Sequence, residues 1–429
     1  MNDLSTASET FVSISKVLDG DVPWLKSMRQ DALNLFSAKG LPTLKDEEWK
    51  YTSLRHLDSV DWGARTEFNL VAKFEWLVPE PSCKLVFVNG TFQMQLSEIS
   101  DLPPGAFIGS LKEAITTDLP ELKKYVGKVA SSDTNSMVAL NTANIEEGFV
   151  VFLNKVRMSR PIEIIHLSQI NKDPIVYHPR NLVVLNQGSE AIIIERSIGS
   201  EVGDYFVNST TELYVENKSD LKHHRVYSEG SDGVVVANNA GQIGEDSEYT
   251  SLNLSLGGKV FRSDLEIKLA GLRARTLLGG IYLTRGEEHS DHTTSIEHKM
   301  GNTISEQLFK GVLTDQSRAV FQGNIIVREG ADGSDGSLNN RTILLSPETE
   351  INSKPQLEIY VDDVKCSHGS TVGELDDDLL FYLRSRGIPE NEARSILVEG
   401  FLSEVISRFD LGSIEDIFRS QLEKWTEAL

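Results

Sequence analysis

Between residues 181 and 345 the sequence is built from short β-branched or aliphatic runs, with no convincing helical period between them. Leu182-Val183-Val184-Leu185, Val234-Val235-Val236 and Leu265-Glu266-Ile267-Lys268-Leu269 are examples. Small and polar residues separate the runs, as at Gly257-Gly258, Ala270-Gly271 and Gly279-Gly280, and again from Gly330 to Gly336. Many short strands with turn signals every ~8–12 residues restrict a chain to a sandwich, a barrel or a solenoid. Two features favour a solenoid, a parallel β-helix. The runs often come in close pairs divided by one or two small residues, which reads as a corner between two faces. The block also continues without a long loop, which suits stacked turns better than one closed barrel.

Helical patterns flank this block. Near the start, Trp24, Leu25, Met28, Ala32, Leu35 and Phe36 share one helical face, and Gly40 and Pro42 stop it. A polar and aromatic cluster, Glu47-Glu48-Trp49-Lys50-Tyr51-Thr52, follows. Residues 85–88 and 91–96 read as strands joined by the turn Asn89-Gly90. Residues 110–126 read as helical pieces broken at Pro120, and residues 149–153 and 161–167 as further strands. Near the end, Asp376, Asp377 and Asp378 place negative charge at a helix start, and Gly387 stops that helix. Pro389 opens another, whose stripe is Ala393, Ile396, Leu397, Phe401, Leu402, Val405, Ile406 and Phe409. Ile414, Ile417, Phe418, Leu422 and Trp425 mark a third. The expected organisation is an N-terminal helical and mixed domain (residues 1–145), a parallel β-helix core (146–370) and a C-terminal helical domain (371–429). A solenoid end exposes open backbone and an apolar core, so the two helical parts are expected to cap it.

Composition excludes several partners. Lys plus Arg number 42 and Asp plus Glu 64, so the formal charge is 42 − 64 = −22. Such a surface repels phosphate backbones and anionic lipid heads, which argues against nucleic acid and membrane surfaces. No run approaches the ~20 apolar residues of a membrane span, and the first twenty residues carry no apolar run of signal-peptide length. The two cysteines, Cys83 and Cys366, then read as free thiols of a cytoplasmic protein.

Metal-ligand chemistry concentrates in Asp362-Asp363-Val364-Lys365-Cys366-Ser367-His368-Gly369. Leu357, Ile359 and Val361 read as the strand leading in, and Gly369 and Gly373 as its end. Cys366 and His368 are two apart, so a strand puts both side chains on one face. Thiolate and imidazole both bind iron and zinc, and both occur in iron–sulfur sites. A closed site wants about four protein ligands, and this segment offers two. Any cluster here therefore borrows ligands from another chain, which points to a subunit interface. The competing reading makes Cys366 a small buried hydrophobe and His368 a hydrogen-bonding surface residue. A second cluster, His289, Asp291, His292 and His298, could hold a metal in a stand-alone metalloprotein or solenoid enzyme. His289 and His292 are separated by an odd number, so a strand sends them to opposite faces. The favoured reading leaves them as polar residues on the outside of the solenoid. His223 and His224 likewise face opposite sides and read as solvated. The sequence has no G-x-x-x-x-G-K-[ST] loop and no G-x-S-x-G elbow.

The run DDVKCSHGSTVGELDDDLLFYLRSRGI (residues 362–388) closely resembles the C-terminal signature of the SufB/SufD family, core subunits of the SUF iron–sulfur assembly machinery. GVLTDQSRAVFQGNIIV (311–327), RTILLSPETEINSKPQLEIY (341–360), HSDHTTSIEH (289–298) and DEEWKYTSL (46–54) add to the resemblance in the expected order. SufB-like chains carry extra cysteines that pass sulfur, whereas the block from 181 to 345 has none, so the SufD-like branch is the better match. The resemblance implies a right-handed parallel β-helix between helical domains. It implies a non-enzymatic scaffold that pairs with SufB and binds the SufC ATPase through its C-terminal helices; the sequence leaves a homodimer open when SufB is absent. It implies that a transient iron–sulfur cluster forms at the SufB interface, with His368 as the main ligand from this chain and Cys366 second, and that the isolated chain binds no cofactor. Residues 331–338 are rich in Gly, Ser and Asp where the family leads one to expect a glutamine-containing strand.

Overall fold

A computed structural model of the chain describes residues 5–15, 22–63, 74, 78, 80–99, 101–427 and 429. The first elements are helices α1 (Thr6–Ile14) and α2 (Pro23–Lys39), then strands β1 (Cys83–Val88), β2 (Thr91–Phe92) and β3 (Ala106–Ser110). Short helices α3 (Leu111–Thr116), α4 (Leu122–Tyr125) and α5 (Ser136–Ala143) follow. The strands then run β4 (Phe149–Leu153), β5 (Ile162–Leu167), β6 (Ile175–Tyr177), β7 (Arg180–Leu185), β8 (Glu190–Ile198) and β9 (Tyr205–Val215). Next come β10 (Asp220–Glu229), β11 (Gly233–Ile243), β12 (Glu248–Gly257), β13 (Val260–Leu269), β14 (Arg275–Thr284) and β15 (His289–His298). The last strands are β16 (Ile304–Leu313), β17 (Arg318–Val327), β18 (Ser334–Leu344), β19 (Glu350–Ile359) and β20 (Val364–Gly373). Helices α6 (Asp377–Ser385), α7 (Glu390–Arg408) and α8 (Glu415–Thr426) close the chain.

From β7 onward, successive strands alternate between two sheets, and each pairs in parallel with the strand two further on. One sheet ends β14–β16–β18–β20 and the other β15–β17–β19. This is a parallel β-solenoid of about eight turns. Its register is unbroken: Ser255, Tyr282, Gly311 and Thr342 form one column across β12, β14, β16 and β18. The Gly- and Asp-rich segment around residue 334 joins this ladder, since Ser334 pairs with Val364 and Gly336 with Cys366.

Four corners from the second sheet to the first carry a left-handed residue followed by a small hydroxylated one. Gly188, Lys218, Asp246 and Asn302 take positive φ, and Ser189, Ser219, Ser247 and Thr303 come next. The serines stack: Ser189 N–H donates to Ser219 Oγ and Ser219 N–H to Ser247 Oγ, both at 3.2 Å. This internal ladder satisfies corner backbone that would otherwise be buried unpaired.

Two sequence expectations need correction. Gly279-Gly280 is not a corner but the middle of β14. Phe409 occupies the space beside Gly279 and Phe309 the space beside Gly280, with ring atoms 2.4 and 2.2 Å from where a Cβ would lie. Residues 91–96 are not one return strand, because after β2 the chain turns into a 3-10 turn at Met94–Leu96.

The helical parts also sit differently from expectation. At the N-terminal end, β1–β2 and β3 join the sheets, and α5 packs on β9 and β11. The tail, however, does not cap the other end. Val398, Leu402, Val405, Ile406, Phe418 and Trp425 pack instead on the outer face of the first sheet, against Val226, Leu252, Leu254, Ile281, Leu308 and Val312. Lys310 Nζ reaches Glu404 at 2.5 Å and Arg408 Nη2 reaches Glu306 at 2.6 Å, pinning α7 to β16. The apolar stripe of α7 needs a partner, and the aliphatic flank of the sheet offers more surface than the last turn.

Candidate functional site at the open end of the solenoid

The final turn, β19 and β20, is consequently bare. Tyr360 is 53% exposed, and Ile359 and Val372 are 41% and 49% exposed, whereas Val327 and Thr342, the partners of the latter two one turn earlier, are buried. The strand expected from Leu357 through Val361 into the Cys-x-His motif is two strands. β19 ends at Ile359, residues 360–363 turn the corner, and β20 carries the motif, with Gly369 inside it.

The backbone at this end is half unpaired. In a parallel ladder alternate residues address opposite neighbours. Glu350 N–H donates to Ser317 and Tyr360 N–H to Val327, so even-numbered residues of β19 address β17. The odd ones, Ile351, Ser353, Leu357 and Ile359, face the free edge, and Pro355 among them has no N–H. Asp335 N–H donates to Thr303 and Leu345 N–H to Leu313, so odd-numbered residues of β18 address β16 and even ones address β20. The same alternation turns the backbone groups of Val364, Cys366, His368, Ser370 and Val372 to open edge.

Those residues also share a side-chain face. Cys366 pairs with Gly336, His368 with Leu338 and Ser370 with Asn340, and both Leu338 and Asn340 are buried inside the solenoid. Cys366 packs at the margin of the cluster formed by Phe321, Ile325 and Leu338. By register His368 stands on this inner face, at the mouth of the interior, exposed because no further turn covers it. Partial burial, with Asp335 nearby, raises the Cys366 thiol above its usual pKa against a lowering backbone hydrogen bond from Gly336. Cys83 lies at the other end, in β1, buried and pushed up to about 11 by desolvation. Among the described residues no three His, Cys, Asp or Glu side chains are grouped to hold a metal ion. The motif therefore presents one thiol and one imidazole on an open edge, fewer groups than a closed metal site wants.

The second histidine cluster disperses. His289 Nε2 lies 2.9 Å from Thr52 Oγ1 at the outer face, and Asp291 receives Arg262 Nη1 at 2.5 Å. His292 is inside, 3.0 Å from Ser255 Oγ and between Phe261, Tyr282 and Phe309. His298 is also inside, with Thr303 and Ser305 each at 2.8 Å. The expectation of outward polar residues fails for His292 and His298. It fails for His223 and His224 as well, although those two do face opposite sides. His223 Nε2 meets Glu195 at 2.9 Å in the interior, beside Arg225. His224 lies outside the sheet but under Phe409 and Phe418. Alternation predicts which residues share a face, but it does not say what later covers that face.

Sequence reasoning left open which apolar positions of the C-terminal helices stay exposed, and α6 carries the largest of them. Leu379, Phe381 and Tyr382 are 51%, 74% and 53% exposed, and Ile396 of α7, the helix packed against α6, is 41% exposed. A helix that buries only Leu380 while presenting three large apolar side chains has an unfilled contact surface.

Comparison with known proteins agrees along nearly the full length. Residues 9–164 match the SufBD protein N-terminal region, and residues 168–401 match the SufBD core domain of the SUF system for FeS cluster assembly. The chain is 31% identical over 410 residues to an iron–sulfur cluster assembly SufBD family protein of Synechocystis sp., covering 92% of this chain and 90% of that one. It is 30% identical over 380 residues to the iron–sulfur cluster assembly protein SufD of Escherichia coli, covering 88% and 87%. It is 28% identical over 414 residues to the chloroplastic protein ABCI7 of Arabidopsis thaliana, covering 93% and 86%.

Proposed function

The chain belongs to the SufBD family of iron–sulfur cluster assembly proteins, and we propose that it is a scaffold subunit with no turnover chemistry of its own. Its cargo is a nascent iron–sulfur cluster. It supplies part of the cluster site from β20 and receives the remaining ligands from a SufB partner docked at the open end. The observation that carries this reading is the half-site. An imidazole and a thiol stand together on the open edge of β20, and among the described residues no further His, Cys, Asp or Glu side chains group with them to complete a metal site.

His368 is the principal ligand. A thiol must lose its proton to bind iron, and the raised pKa of Cys366 makes that costlier at neutral pH. An imidazole offers iron a ring nitrogen and carries no thiol proton to shed. Cys366 then serves as a helper. The apolar face of Leu379, Phe381, Tyr382 and Ile396 is assigned to the SufC ATPase, close in sequence to β20 and free of other contacts that would occupy it.

Iron and acid-labile sulfide, measured on the purified chain alone and on its complex with SufB and SufC, test the scaffold reading. The expected result is a cluster only in the complex. Stoichiometric iron on the isolated chain would contradict it and favour a stand-alone metalloprotein.

A further inference from the structure

A chain of side-chain hydrogen bonds crosses the interior just behind the half-site. Tyr282 of β14 is fully buried, and its hydroxyl donates to Asn340 Oδ1 at 2.8 Å and lies 2.7 Å from Thr342 Oγ1. Asn340 Nδ2 donates to Ser353 Oγ at 3.3 Å, and Ser370 Oγ donates to the same Ser353 Oγ at 2.8 Å. The participants come from β14, β18, β19 and β20, so the chain joins both sheets. Its inner end is closely packed. The Tyr282 ring lies on Gly311, where a Cβ would be 1.8 Å from Cε2, and its centroid is 5.3 Å from that of His292. Its outer end is Ser370, two residues beyond His368 on the same face.

β20 needs this support. It is paired along one edge only, to β18, and its other edge is open. Among the described residues, Ser370 to Ser353 is the only side-chain hydrogen bond between β19 and β20. A hydroxyl oxygen can accept two hydrogen bonds, which is what Ser353 does here. Removing that oxygen leaves the Asn340 amide and the Ser370 hydroxyl without their common acceptor, and the rim of β20 without its tie to the opposite sheet.

We propose that Ser353 is a positioning residue for the half-site, holding β20 against the anchored Tyr282–Asn340 pair so that His368 stands where a cluster iron can reach it. The inference rests on the reading of His368 as a ligand. Ligand side chains must be held to within about 0.5 Å of productive geometry, and supporting hydrogen bonds do the holding.

The test uses Ser353→Ala, Ser353→Thr and His368→Ala, each purified in complex with SufB and SufC. Cluster content and visible circular dichroism are read on the complex, and amide hydrogen exchange across residues 364–372 on the chain alone. Ser353→Ala is expected to assemble the complex, to exchange faster across β20, to lower cluster content several-fold and to alter the dichroism of what remains. Ser353→Thr keeps the hydroxyl and is expected to restore content and spectrum. His368→Ala is expected to lose cluster with β20 exchange unchanged. Wild-type cluster content in Ser353→Ala would overturn the proposal, as would a Ser353→Thr variant as defective as the alanine. A His368→Ala complex that keeps its cluster would overturn the ligand assignment itself, an outcome separate from either Ser353 result.

Discussion

His224 shows how a residue read as solvated becomes a determinant of stability. Its ring lies 6.4 Å from Phe409 and 6.3 Å from Phe418, and its Nδ1 accepts the Leu252 N–H at 3.1 Å. Desolvation, aided by His223, Lys222 and Arg225, drops its pKa to about 3. The unfolded chain takes up a proton near pH 6.5 that the folded chain refuses, so stability is full above pH 6.5 and declines as pH falls toward 3. At ~1.4 kcal/mol per unit, His224 accounts for about 2 kcal/mol of loss between pH 6.5 and 5. Asp264 and Glu288, raised by burial to about 6 and about 7, act in the opposite sense. The informative comparison is therefore between parent and variant. His224→Phe is expected to flatten the pH dependence of the urea midpoint between pH 7 and 5, and an unchanged slope would contradict this account. At this scale the Cys366-x-His368 pair was legible, because strand alternation alone puts two residues on one face. The burial of His223, His224, His292 and His298 was not, because it depends on which elements arrive later to cover each face.

The strands were legible as elements, and the repeat that joins them was not. The corner signal is present in sequence as Gly188-Ser189, Lys218-Ser219, Asp246-Ser247 and Asn302-Thr303. Its first position demands a backbone conformation and not a side chain, so Gly, Lys, Asp and Asn all fill it and no motif stands out. The cluster at residues 47–52 was equally visible and unexplained. It forms a strap across the outer face of the second sheet. Arg262 stacks 4.1 Å from the Trp49 ring centroid, and Arg262 and Gln322 both donate to the Glu48 carbonyl. Thr52 donates to Asp291, and Lys354 of β19 pairs with Glu47. Trp49→Ala would uncover Arg262 and cost about 3–4 kcal/mol, the usual toll for truncating a buried Trp. Faster amide exchange is expected in β13, β15 and β17, and full protection there would show that the strap bears no part of the sheet's stability.

Over the whole molecule the parts arrange themselves around one asymmetry. The N-terminal end is closed by a hairpin and helices, the flank of the first sheet is covered by α7 and α8, and the C-terminal turn is left open. The sequence indicated a solenoid between helical segments, but not that the tail would fold back along the flank, because an amphipathic stripe specifies an apolar contact without naming its location. Among the described residues, the β20 edge and the apolar face of α6 are the two surfaces proposed for partners. The Phe381 side chain supports no core, so Phe381→Asp is expected to change folding stability by no more than about 0.5 kcal/mol. The same substitution is expected to abolish co-purification with SufC, and retained binding would move that contact elsewhere. The central claim concerns the open edge and is tested most directly by counting iron and acid-labile sulfide in the purified complex with SufB and SufC, for the parent and for His368→Ala. The expected outcome is a complex of unchanged composition that has lost most of its cluster, whereas an undiminished cluster in the His368→Ala complex would contradict the account.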